Sequence, residues 1–166
     1  EGYEGFFHLT DMEGVMAKPN RVTHAYKGPL VLFTIGMRIH RPWRLDVVVP
    51  ATLAMTGMIR ELMANRAAVR SGDAEDIGFL GLRSTIEGIS PTMLTYWRST
   101  HDLYAYANEE RRKHRSAWVD FYRYTKRASS VVTIWHETFS VPEGHHEAIY
   151  VGPKPFGLAD IAGAVP

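Results

Sequence analysis

The sequence predicts an α+β subunit whose elements run β-α-β-β-α-β, the ferredoxin-like order. Three observations predict it. Leu30-Val-Leu-Phe-Thr-Ile-Gly-Met-Arg-Ile39 is apolar almost without interruption, as expected of a central strand covered on both faces. Leu94, Tyr96 and Arg98 alternate with Thr95, Trp97 and Ser99, the two-residue period of a strand. A helix then starts, with Ser99 able to cap it and Asp102 placing a carboxylate in its first turn. Further on, His114, Trp118, Phe121, Tyr122 and Thr125 recur at i, i+4, i+7, i+8 and i+11, one face of a helix. A sheet face and a helix stripe of this kind bury each other, and a cavity between them would be walled by aromatic rings.

Taken in order, residues 1–29 carry scattered Gly and Pro among aromatics and form an irregular arm with at most a short helix. The strand 30–39 follows, and Gly36 inside it marks a bulge or the close approach of another group. Pro42 keeps the next connection extended. The helix after it has Pro50 in its first turn or at a kink. Met55, Met58, Ile59, Leu62 and Met63 form its apolar stripe, a soft face that fills irregular space or lines a pocket for an apolar ligand. Residues 78–86 and 92–98 read as a hairpin of two strands around the turn Glu87-Gly-Ile-Ser-Pro91. A helical stretch 99–127, broken near 108–114, precedes a fourth strand over 131–139, rich in β-branched and aromatic residues. The organisation is therefore an arm (1–29), one α+β domain (30–141) and a tail (142–166) laid across a partner. Such a sheet leaves an unprotected face or edge, which pairing two copies into a homodimer would cover.

The bulk numbers exclude several classes. A chain of 166 residues suits one domain with a core, and a net charge of +1 does not suggest nucleic acid. The runs Arg111-Arg112-Lys113 and Lys126-Arg127 are local and read as solvated faces. With no cysteine, disulfides and thiol chemistry are excluded. No apolar run approaches the roughly 18–20 residues of a membrane span, so the cytoplasm is favoured. The first residue is not Met, which leaves an upstream signal or anchor open.

Several motifs together carry a family resemblance. Phe33-Thr-Ile-Gly-Met-Arg-Ile39, Arg41-Pro-Trp-Arg44, Tyr96-Trp-Arg-Ser99, His114-Arg-Ser-Ala-Trp118, Ile134-Trp-His-Glu-Thr138 and Glu147-Ala-Ile-Tyr-Val151 resemble a family of small bacterial and fungal proteins. That family was formerly a domain of unknown function and is now grouped with a monooxygenase of the fumagillin pathway. The resemblance covers about 30–155. It implies a dimeric α/β barrel, the superfamily of antibiotic-biosynthesis monooxygenases, haem-degrading monooxygenases, chlorite dismutases and haem-dependent aldoxime dehydratases. Trp97 and His114 match positions where haem-degrading relatives keep a pocket tryptophan and an iron-binding histidine. Those relatives keep an asparagine on the first strand. This chain has Thr34, Gly36, Met37 and Arg38 there, which speaks against haem degradation.

The leading candidate catalytic residue is His136, in an apolar strand beside Glu137, which alternation sends to the opposite face. A neutral imidazole can take a proton from a phenol, enol or hydroxyl, or ligate iron, and a hydrogen-bonded structural histidine fits the same pattern. His114 is the second candidate. On the aromatic stripe it faces the sheet, and a small slip in helix phase sets it among the basic run. Arg38 or Arg98 could hold an anionic enolate or carboxylate, or serve as an ion pair. Tyr96 and Trp97 occupy opposite faces, so at most one lines the pocket directly. Phe33, Met58, Trp118 and Tyr122 complete the expected substrate-binding set. His145-His146-Glu147 does not make a metal site, because neighbouring side chains diverge in extended chain. Phosphate-binding loops and a Ser-His-Asp pattern are absent from the sequence.

The expected function is a small monooxygenase or oxidase of specialised metabolism acting on an apolar small molecule. No cofactor is expected, the substrate supplying the electrons. The alternatives are a haem enzyme with His114 or His136 on the iron, a non-redox cyclase, isomerase or dehydratase, and a non-catalytic binder of hydrophobic ligands.

Overall fold

A computed structural model of the chain describes residues 21–109 and 130–166. The expected stripe from His114 to Thr125, including Trp118 and Tyr122, lies outside the described residues.

Strand β1, Arg21–His24, falls in the arm, where no strand was expected. Strand β2, Leu30–Ile39, coincides with the apolar run. Helix α1, Leu45–Ser71, runs through Pro50 without ending there. It stops at Gly72, whose left-handed φ of 81° lets its N–H reach the Ala68 and Val69 carbonyls. Strands β3, Phe79–Glu87, and β4, Ser90–Trp97, form the expected hairpin. Helix α2, Thr100–Asn108, starts as anticipated. Ser99 Oγ accepts from the Asp102 N–H at 3.0 Å and donates to Asp102 Oδ2 at 2.7 Å. Strand β5, Val132–Val141, is followed by β6, Tyr150–Val151, helix α3, Leu158–Ala162, and β7, Ala164–Val165.

Four strands form the main sheet in the order β3-β4-β2-β5, every neighbouring pair antiparallel. With its two crossover helices this is the ferredoxin-like arrangement, and β2 is the interior strand that its composition demands. The register sets one row of side chains as His136, Ile35 and Met93 across β5, β2 and β4, and the next as Thr138, Phe33 and Thr95. These rows belong to the face that α1 covers with Met55, Met58 and Leu62. The opposite face carries Tyr96, Leu32, Leu80 and Leu94, packed under Leu158 and Ile161 of α3.

The tail therefore lies on its own chain. A second sheet, β6-β1-β7, pairs Arg21 with Val151 and Thr23 with Val165. Gly36 marks a close approach: a Cβ there would stand 2.7 Å from Trp135 Cζ2 and 2.8 Å from Thr92 Oγ1.

Helix α1 departs from expectation in one respect. It is 27 residues long and holds an 18-residue window of mean hydropathy 1.4, long and apolar enough to cross a bilayer. One side of it is nevertheless committed to the sheet through Met55, Met58 and Leu62.

Candidate functional site

Between the sheet and the two helices lies a cavity of about 170 Å³. The sheet supplies Phe33, Ile35, Met93, Thr95 and Trp97 as its floor, with His136 and Thr138 on β5. Met58 and Leu62 come from α1, and Leu103, Tyr104, Tyr106 and Ala107 from α2. Spacing explains the last group: Leu103, Tyr106 and Ala107 stand at i, i+3 and i+4, one face of a helix. An engineered cavity of about 150 Å³ holds a benzene molecule, so the enclosed space takes one ring or a short branched chain.

The polar groups of the floor are already engaged. Thr95 Oγ1 donates to the Phe33 carbonyl at 2.9 Å and accepts from Trp97 Nε1 at 2.9 Å. Both residues are fully buried, which locks the indole as a flat wall, with Tyr106 and Phe79 at centroid distances of 5.4 and 5.3 Å. On the β5 side, His136 is exposed at the mouth, its ring 5.5 Å from Phe33 and tilted by 37°. Thr138 lies two residues along the same face.

Of the residues singled out from sequence, Phe33, Met58, Trp97 and His136 meet at this cavity. Tyr96 does not, because it belongs to the opposite face. Burial raises its phenol pKa, with Tyr150 acting in the same direction and Arg83 against it. Arg38 does not line the cavity either. It is even-numbered on a strand whose odd positions face the helices, and its guanidinium pairs with Glu87 at 3.1 Å. Arg98 is tied to Asp76 at 2.9 Å and Asp102 at 3.1 Å. Burial works to raise the Asp102 carboxyl pKa, but hydrogen bonds from Arg98 and Ser99 and the Arg98 charge outweigh it and hold it below the usual range. His114, Trp118 and Tyr122 lie outside the described residues. The lining residues missed from sequence are Ile35, Met93, Thr95, Leu103, Tyr104, Tyr106, Ala107 and Thr138. Strand parity with His136 would have found Thr138, and helical spacing the α2 set.

His146 has a structural role. Its Nε2 donates to the Gly28 carbonyl at 2.9 Å, so its Nδ1 accepts from His24 Nε2 at 3.3 Å. No group of three or more His, Cys, Asp or Glu able to hold a metal occurs among the described residues. Among the described lining residues His136 is the imidazole that could ligate a haem iron, and none is an arginine or lysine that could meet its propionates; His114 and the basic run Arg111-Arg112-Lys113 lie outside the described residues.

A small α+β subunit with an apolar chamber under two helices, and an imidazole at its mouth, is a ligand-binding or enzymatic architecture. The chain belongs to the Monooxygenase af470-like family, whose model matches residues 30–158. Among solved structures it is similar to an aldoxime dehydratase, with a TM-score of 0.66 and 18% identity over 90% of this chain. It spans 43% of that longer protein, and the likeness is one of fold. A possible oxidoreductase of unknown function from Bacteroides thetaiotaomicron aligns at 10% identity over 67% of this chain and 96% of its own, with a TM-score of 0.39. No curated protein matches the chain in sequence.

Proposed function

We propose that the chain is a cofactor-independent monooxygenase or oxidase of specialised metabolism, acting on a small apolar molecule with one ring or short chain seated against Trp97, Phe33 and Met58. The observation that carries this reading is an imidazole, His136, at the mouth of an otherwise apolar chamber. Membership of a family named for a monooxygenase supports the redox class.

In the proposed reaction His136 removes a proton from a phenol, enol or activated methylene of the substrate. The apolar wall leaves the resulting anion poorly solvated and electron-rich. Oxygen then accepts electrons from that anion. For a methylene, CH2 and O2 become C=O and H2O, so the substrate supplies all the electrons. Thr138, on the same face as His136, is positioned to hydrogen-bond the substrate oxygen. We also propose a homodimer closed on the outer face of β2 and β5, where Phe139 is 50% exposed.

The test is oxygen uptake by the purified chain with a panel of single-ring phenols and cyclic 1,3-diketones. Uptake should occur with at least one class and be lost in a folded His136→Ala variant. Uptake at the wild-type rate in that variant would remove His136 from the reaction. Product formed without oxygen would replace the reading by acid–base catalysis alone. A Soret band raised by haemin and lost in His136→Ala would replace it by a haem enzyme.

A further inference from the structure

The solvent side of α1 carries large apolar side chains over its first turns, where a helix in water should be polar. Leu45, Val49 and Leu53 stand at i, i+4 and i+8 and are 63%, 46% and 65% exposed. Trp43 just before them is 71% exposed. At the same end of the sheet, the two-residue turn between β3 and β4 presents Ile89, 56% exposed, beside Ile86, 74% exposed. The turn and the α1 entrance are held together, because the Ile39 N–H donates to Ser90 Oγ at 3.1 Å and Arg38 pairs with Glu87. The charges at this end lean positive. Asp46 is neutralised by Arg44 at 2.7 Å and Glu87 by Arg38, while the exposed Arg41 has no ion pair among the described residues.

We propose that this end docks on an anionic phospholipid bilayer, with α1 lying flat in the interface. Exposed apolar side chains with a tryptophan two residues from the exposed Arg41 are the chemistry of an interfacial helix. The composition of α1 fits lipid rather than water: only 22% of its bilayer-like window is buried. Its sheet-facing side cannot leave the core, so the helix rests on the membrane and does not cross it. The surface lies across the subunit from the outer sheet face and does not depend on the reaction proposed above.

The experiment is sedimentation of the full chain with vesicles of phosphatidylcholine alone or mixed with phosphatidylglycerol. Wild type should sediment with the mixed vesicles, less so as salt rises. Leu53→Asp and Ile89→Asp should each lower the partition about tenfold or more, and Arg41→Glu about fivefold. Circular dichroism and melting should be unchanged, because all three positions are exposed. Absence of wild-type sedimentation with mixed vesicles would overturn the proposal, as would equal binding to both lipids or variants that bind like wild type. Self-association of wild type that Leu53→Asp abolishes, without vesicle binding, would assign the surface to a second copy instead.

Discussion

Replacing Thr95 with valine probes the floor of the cavity directly. The side chain is 1% exposed, and its hydroxyl both donates to the Phe33 carbonyl and accepts from the Trp97 indole. Valine keeps the shape and removes the hydroxyl. Trp97, also 1% exposed, is then left with a buried N–H and no acceptor. An orphaned buried donor costs about 1–3 kcal/mol. The Phe33 carbonyl also loses the Thr95 hydroxyl, which adds less. The expected loss is about 2 kcal/mol, or roughly 4–8 °C in Tm for a chain of this length. Thr95→Ser separates this cause from packing, since it keeps both hydrogen bonds and removes one methyl, at about 1 kcal/mol. Differential scanning calorimetry and urea titration of the three proteins read the difference. A valine variant as stable as wild type, or a serine variant costlier than valine, would refute the claim that hydrogen bonding holds the indole.

Gly36→Ala would drive a Cβ to within 2.7 Å of Trp135, and should destabilise by about 1–3 kcal/mol in urea titration. The His24–His146 pair should make stability pH-dependent. Burial, then the neighbouring His146, lowers the His24 pKa, with a backbone hydrogen bond to Tyr26 opposing them. The unfolded chain thus binds a proton more readily than the folded one. Stability from this group is complete above the ordinary value of 6.5 and is lost as pH falls below it toward the lower folded value. The urea midpoint of wild type should fall between about pH 7.5 and about pH 5.5 by more than that of His24→Gln. Equal falls in the two proteins would show that other groups carry the effect.

Much of the main sheet could be read from the chain because its signals are local. The apolar run of β2, the Ser99 cap and the β-branched residues of β5 each act within a few residues. Strands β1 and β7 escaped because they are four and two residues long and form only by pairing across the length of the chain, as Thr23 does with Val165, whereas β6 falls within the extended piece 147–151 that the sequence does signal. Within the site, His136 was reached because an imidazole in an apolar strand is chemically conspicuous. Charge makes Arg38 conspicuous too, but parity with Phe33 and Ile35 sends it to the other face, where it pairs with Glu87. Thr95 carries no such chemical mark, and its role becomes visible only when the register sets it beside Phe33.

The closing segment has a practical bearing on how this protein is handled. The family match stops at residue 158, yet Ile161 fills the notch above Gly81, where a Cβ would stand 2.7 Å from its Cγ1, and its carbonyl is gripped by Arg66. A gene trimmed to that boundary would discard this plug together with β7. It would unseal the underside of the sheet and leave β1 zipped on one flank only, yielding insoluble material for a reason remote from the cavity under α1 and α2.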